Sequence, residues 1–89
     1  MDLTTLRLDI NSIDESIVSL LNRRFEIALK IGTLKSAQNI PVYNEAREQE
    51  VLDLIRKKNP GPLADNQLTQ IFQTIIDVCR KAQIQSRKD

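Results

Sequence analysis

Between Leu3 and Leu34 the chain places aliphatic side chains at alternating steps of three and four: Leu3, Leu6, Ile10, Ile13, Ile17 and Leu20, then, after one interruption, Ile27, Ile31 and Leu34. That rhythm draws a heptad-like apolar seam along one side of a helix running from about Asp2 to Ser36. Asp2 or Thr4 is the expected cap. Gly32 is the one weak helix former inside the span, at a cost of about 1 kcal/mol. Gln38, Asn39 and Pro41 supply the stop, because Pro41 biases Ile40 away from helix. About 35 helical residues reach roughly 50 Å. A compact domain of this size has a radius of gyration near 12 Å. Part of the seam therefore lacks a partner within its own chain. An exposed aliphatic strip of that extent predicts association, most simply a two-fold dimer with the long helices paired.

Two more helices follow. Asn44 is the expected N-cap of the second, which ends near Asn59 and carries Val51, Leu52, Leu54 and Ile55. Asn59-Pro60-Gly61-Pro62 then breaks the chain. A third helix is expected from Asp65 as N-cap to about Ser86, with the stripe Leu68, Ile71, Phe72, Ile75, Ile76, Cys79 and Ala82. At about 33 Å it is too short to cover the first. Arg87-Lys88-Asp89 reads as a frayed tail. No β-alternation, repeat or low-complexity tract occurs. The predicted fold is all-α, with three helices per chain in an intertwined homodimer, and the 89 residues argue for one domain over 1–89.

Composition narrows the chemistry. Aromatic residues are only 3%, so the core must be aliphatic. A formal net charge of +1 offers no bulk basic field for nucleic acid or anionic lipid, and neither is expected as a partner. No apolar run approaches the roughly 18 residues that span a bilayer. The N-terminal MDLTTLRLDI lacks the features of a signal peptide, so the cytoplasm is the expected compartment. There is no histidine, which removes the commonest general base and metal ligand. Neither a metal site nor a cofactor is expected. The single cysteine, Cys79, has no histidine to activate it and reads as a small core residue.

The interruption of the seam falls on Arg24, four residues past Leu20 and three before Ile27. Arg23 beside it falls on the polar face with Ser16, Ser19, Glu26 and Lys30. A guanidinium cannot shed its proton, and burying it unpaired is very costly. Arg24 needs either a protein carboxylate, Glu48 or Asp14, or an anionic ligand; the sequence leaves both open. Lys35 lies eleven residues on, three turns along the same face, so Arg24, Ala28, Ile31 and Lys35 form a ladder. Taken alone, Lys35 is a snorkelling side chain near a helix end. Arg7 sits at the seam's edge, too far along the helix to meet Arg24 in one chain, but an antiparallel partner brings it close. Arg47 and Glu48 straddle the apolar face of the second helix, and Gln83 follows Cys79 by one turn. Each has a bland reading as a cap or rim residue. Together they describe a polar, net-positive pocket in an aliphatic bundle, suited to an anionic small molecule. Such a site binds, orients and stabilises developing charge, which is sufficient for a pericyclic reaction.

Arg7, Arg24 within LLNRRFEIA, Lys35 within GTLK, Arg47-Glu48 after PVYNEA and Gln83 after IFQTIIDVC, in that order, resemble the all-helical class of chorismate mutases, from about Leu3 to Gln85. The resemblance implies three helices per chain in an interlocked dimer that rearranges chorismate, a dianion, to prephenate. It implies that Arg24 and the partner subunit's Arg7 clamp the substrate carboxylates. Lys35 and Gln83 would bond the ether oxygen, Glu48 would hold the ring hydroxyl, and Arg47 would support the site. Asn44 stands where other members can carry an aspartate, and Cys79 where some carry a serine; both count as expected substrate-binding positions. Relatives are often fused to other enzymes of aromatic amino acid synthesis, so an excised domain is an alternative. The nearest rival is isochorismate pyruvate lyase of the same fold; a rival of another class is a non-catalytic helical dimerisation or regulatory module. The module explains the seam but not Arg24.

Overall fold

The computed structural model describes residues 1–88, with Lys88 by its backbone alone. Its elements are three helices: α1 (Leu3–Ala37), α2 (Glu45–Lys58) and α3 (Asp65–Lys88). The start of α1 is fixed by Asp2, in extended conformation, whose Oδ1 accepts the Thr5 amide at 2.8 Å. Its end is a Schellman motif. Asn39 turns into the left-handed region at φ 56°, the Ile40 amide donates to the Lys35 carbonyl at 2.8 Å, and the Asn39 amide to the Ser36 carbonyl at 3.2 Å. α2 opens on Asn44, whose Oδ1 accepts the Arg47 amide at 3.0 Å. It carries Glu45 and Glu48 in its first turn and Arg56, Lys57 and Lys58 in its last, matching the helix dipole at both ends.

The third helix departs from expectation at both ends. Asp65 is not its N-cap but lies inside the first turn. The Ala64 carbonyl accepts the Leu68 amide at 3.0 Å, and Gln67 Oε1 takes the Ala64 amide at 3.0 Å. The Asp65 carboxylate is drawn away to Asn59 Nδ2 at 2.8 Å, where it closes the turn after α2. At the far end the helix runs past Ser86 to Lys88, so Arg87 is not a frayed tail. Its Nη2 donates to the Ile40 carbonyl at 2.6 Å and ties α3 to the loop after α1. Asp89 lies outside the described residues.

α3 is the central element, packed against the C-terminal half of α1 on one side and against α2 on another. The buried set is small: Ala28, Gly32, Leu52, Ile76, Cys79 and Gln83, and among the described residues no side chain is fully enclosed. The N-terminal half of α1 is left uncovered by the described residues. Residues 1 to 23 are all exposed, including the seam residues Leu3, Leu6, Ile10, Ile13, Ile17 and Leu20. The molecule is accordingly long, 55 × 27 × 15 Å, with a radius of gyration of 16.2 Å. Its accessible surface is 7175 Å², where a compact monomer of this mass exposes about 5,300 Å².

Candidate active site

Where α1, α2 and α3 converge, a half-open cavity of about 270 Å³ lies between them. α1 contributes Arg24, Ala28, Ile31 and Lys35, the ladder expected from their spacing. The first turn of α2 and its cap contribute Asn44, Arg47 and Glu48. α3 contributes Ile76, Cys79, Arg80 and Gln83, and the intervening loop adds Val42. Seven of the eight residues singled out from the sequence therefore share one wall system. The eighth, Arg7, is exposed on the unpaired half of α1, about 25 Å along the helix from Arg24.

The polar groups are held in particular ways. Arg24 is half-buried and has found neither of the carboxylates that were open to it: among the described residues no ion pair includes it. Its Nη1 lies 3.2 Å from the Cys79 sulfur, a weak acceptor that leaves the charge uncompensated. Cys79 is buried as expected, yet it also forms part of the cavity wall. Lys35 Nζ donates to the Val42 carbonyl at 3.1 Å, again without a carboxylate. The loop bearing Val42 is the one anchored by Arg87 through Ile40.

Gln83 is buried, and its Nε2 donates to the Ala28 carbonyl of α1 at 2.6 Å. Gly32 makes that approach possible. A Cβ there would stand 2.9 Å from Gln83 Cγ and 3.2 Å from Gln83 Cβ, inside contact distance. Asn44 is engaged through Oδ1 as the cap of α2, so what its side chain can offer the cavity is an uncharged amide donor. Arg47 is largely exposed and pairs with Glu50 at 3.2 Å.

Arg80 was not among the residues marked in the sequence. Its Nη1 reaches both oxygens of Glu48, at 2.9 and 2.6 Å, and its Nη2 reaches Asp77 at 2.9 Å. Its guanidinium carbon lies 5.3 Å from the centroid of the Tyr43 ring. The Glu48 hydrogen bond, more than offsetting burial, holds the guanidinium above its ordinary pKa. Asp77 is held below 3.8 first by the Gln73 amide and then by Arg80. The signal for Arg80 was its spacing, four residues past Ile76 and three before Gln83, which sets it on the edge of the buried stripe.

Among the described residues the cavity's charges are four cationic side chains, Arg24, Lys35, Arg47 and Arg80, against the one carboxylate of Glu48. Such a wall suits a compact ligand carrying more than one negative charge. Among the described residues no cluster of His, Cys, Asp or Glu is arranged to hold a metal ion.

This arrangement of three helices has known counterparts. Residues 6–84 match the family model for chorismate mutase type II, and the chain belongs to that family. A solved structure of chorismate mutase from Helicobacter pylori in complex with prephenate is 34% identical, covers 98% of this chain and 94% of its own, and superposes with a TM-score of 0.88. Chorismate mutase (Form II) from Thermus thermophilus is 27% identical, with a TM-score of 0.89 over 91% of this chain and 92% of that one. The bifunctional chorismate mutase/prephenate dehydratase of Aquifex aeolicus is 37% identical over 82 residues, 88% of this chain but 23% of that protein. The chain thus spans about a fifth of the length of the curated relatives it matches.

Proposed function

We propose that the chain is a chorismate mutase, rearranging chorismate to prephenate in the biosynthesis of phenylalanine and tyrosine, and that residues 1–89 act as one such unit. The observation that carries this is Arg24: a permanent cation in the aliphatic seam, unpaired with any carboxylate among the described residues and facing a cavity shared with Lys35. A structural arginine would be neutralised by the protein; one that binds a dianion must be left available.

In this reading Arg24 and the partner subunit's Arg7 clamp the two carboxylates and select the compact conformer in which the reacting carbons meet. As the ether C–O bond breaks and the new C–C bond forms, negative charge grows on the ether oxygen. Lys35 and Gln83 are the donors that meet it. Glu48 accepts from the ring hydroxyl. Arg47 adds positive charge at the rim, while Asn44 and Cys79 complete the contact surface. No proton is transferred and no nucleophile is required, consistent with a site without histidine. Even the lower end of enzymatic acceleration, about 10⁶-fold, requires roughly 8 kcal/mol, which conformer selection and a charge-assisted donor can supply together.

The second subunit is part of the proposal. The surface in excess of a compact monomer is about 1,900 Å². Doubled, it falls in the range buried by obligate homodimers, about 2,000–5,000 Å² in total. Arg7 lies on the unpaired half of α1 and reaches a cavity only if another copy comes to it. Among the described residues no helix is long and apolar enough to cross a membrane, and the proposed setting is the cytoplasm.

The test is an ultraviolet assay of chorismate loss with identification of the product. Prephenate is expected, with turnover lost in Arg24→Ala and in Lys35→Ala. Release of pyruvate from isochorismate, with chorismate untouched, would assign the rival lyase chemistry. Full turnover in both variants would overturn the site assignment.

A further inference from the structure

We infer that Arg80 is a positioning residue for the rearrangement, acting through Glu48; the inference rests on the chorismate mutase reading above. Among the described residues that line the cavity Glu48 is the sole carboxylate, and it shares that lining with three further cations held on other partners: Arg24 on Cys79, Lys35 on the Val42 carbonyl and Arg47 on Glu50. A carboxylate free to swing would neutralise one of the cations needed by the substrate. Arg80 prevents this by holding both Glu48 oxygens through one nitrogen, at 2.9 and 2.6 Å, across the α2–α3 contact. A single donor shared by two oxygens leaves lone pairs on each for a hydroxyl.

Arg80 is itself fixed from three sides. Asp77, one turn back on α3, takes Nη2 at 2.9 Å; Tyr43 of the loop lies under the guanidinium; and Glu48 takes Nη1. Asp77 in turn accepts from Gln73 at 3.0 Å. The pair is substantially shielded, with side-chain exposures of 24% for Arg80 and 17% for Glu48. A second concavity, bordered by Tyr43, Glu45, Gln73 and Asp77, shares Glu48 and Arg80 with the first but neither Arg24 nor Lys35. The Arg80–Glu48 bridge is thus the partition that gives the reactive cavity its wall. Arg80 both aims the carboxylate and keeps it away from the substrate-binding cations.

A double-mutant cycle on the full chain, with Arg80→Gln, Glu48→Gln and their combination, tests this. Rates are normalised to the folded fraction measured by circular dichroism. If Arg80 acts through Glu48, each single change lowers kcat/KM by about tenfold to a hundredfold, the range of one hydrogen bond to a charged group. The double variant then falls no further than the worse single one. Arg80→Lys, which keeps the charge and loses the shared donor geometry, is expected to lie between wild type and Arg80→Gln, and it replaces Arg80→Gln in the cycle should the latter not fold. Multiplicative losses, or an Arg80→Gln enzyme within about twofold of wild type, overturn the inference while leaving the mutase reading intact. A wild-type protein that does not convert chorismate overturns both.

Discussion

Gly32 carries more weight than its single hydrogen suggests. It is the poorest helix former in α1, and replacing it with alanine raises intrinsic helix propensity by about 1 kcal/mol. The new methyl, however, would come within 2.9 Å of Gln83 Cγ and push the amide off the Ala28 carbonyl. Gly32→Ala is therefore expected to lower kcat/KM by about tenfold or more, equivalent to about 1.4 kcal/mol, without a matching fall in melting temperature. An unchanged rate would show that Gln83 needs no such clearance. Cys79→Ser is expected to keep most activity, since a hydroxyl accepts from Arg24 as the thiol does; complete loss with an intact fold would contradict that role. At this scale Arg24, Lys35 and Gln83 were legible because each puts polarity into an apolar stripe. Arg80 was not: its meaning lies in Glu48, 32 residues away, and only the packing of α2 on α3 brings the two together.

The helices were largely legible because local chemistry sets their ends. Asn44 caps α2 as its side chain predicts, and the helix ends at Asn59, where the Pro-Gly run breaks it. The ends of α3 were misjudged because partners outside the helix decide them: Asp65 is recruited by Asn59 of the preceding turn, and Arg87 by the Ile40 carbonyl 47 residues away. The start of α1 yields a pH prediction. Hydrogen bonding from the Thr5 amide holds Asp2 below the ordinary 3.8. The folded state therefore binds fewer protons than the unfolded chain as the pH falls through that window. The stabilisation from ionised Asp2 is fully present above 3.8 and is lost as pH drops through the depressed folded value. Thermal melts of wild type and Asp2→Asn are expected to differ most near neutrality and to converge in strong acid. A gap that widens on acidification would assign the cap another role.

For the molecule as a whole, an unfinished core is legible in the sequence: a seam about 50 Å long and no helix to match it. What it did not reveal is how little the chain buries alone. Ile13 is 58% exposed and Ile17 46%, in the middle of the unpaired half. Sedimentation is expected to show a dimer that persists at micromolar concentration. Ile13→Asp is expected to lower helix content and activity together, because a charge on that face leaves α1 without a partner. A folded, active monomer would remove the partner subunit's Arg7 from the site and return the cavity to one chain.

The cation surplus around the cavity has a consequence for turnover. The proposed isomerisation conserves charge, so in that reading the dicarboxylate that leaves carries the same two negative charges as the one that entered. Coulombic grip alone cannot tell them apart; discrimination falls to shape, and departure competes with capture. Prephenate added at the outset is therefore expected to inhibit competitively, with an inhibition constant of the same order as KM, and raising ionic strength is expected to weaken both alike.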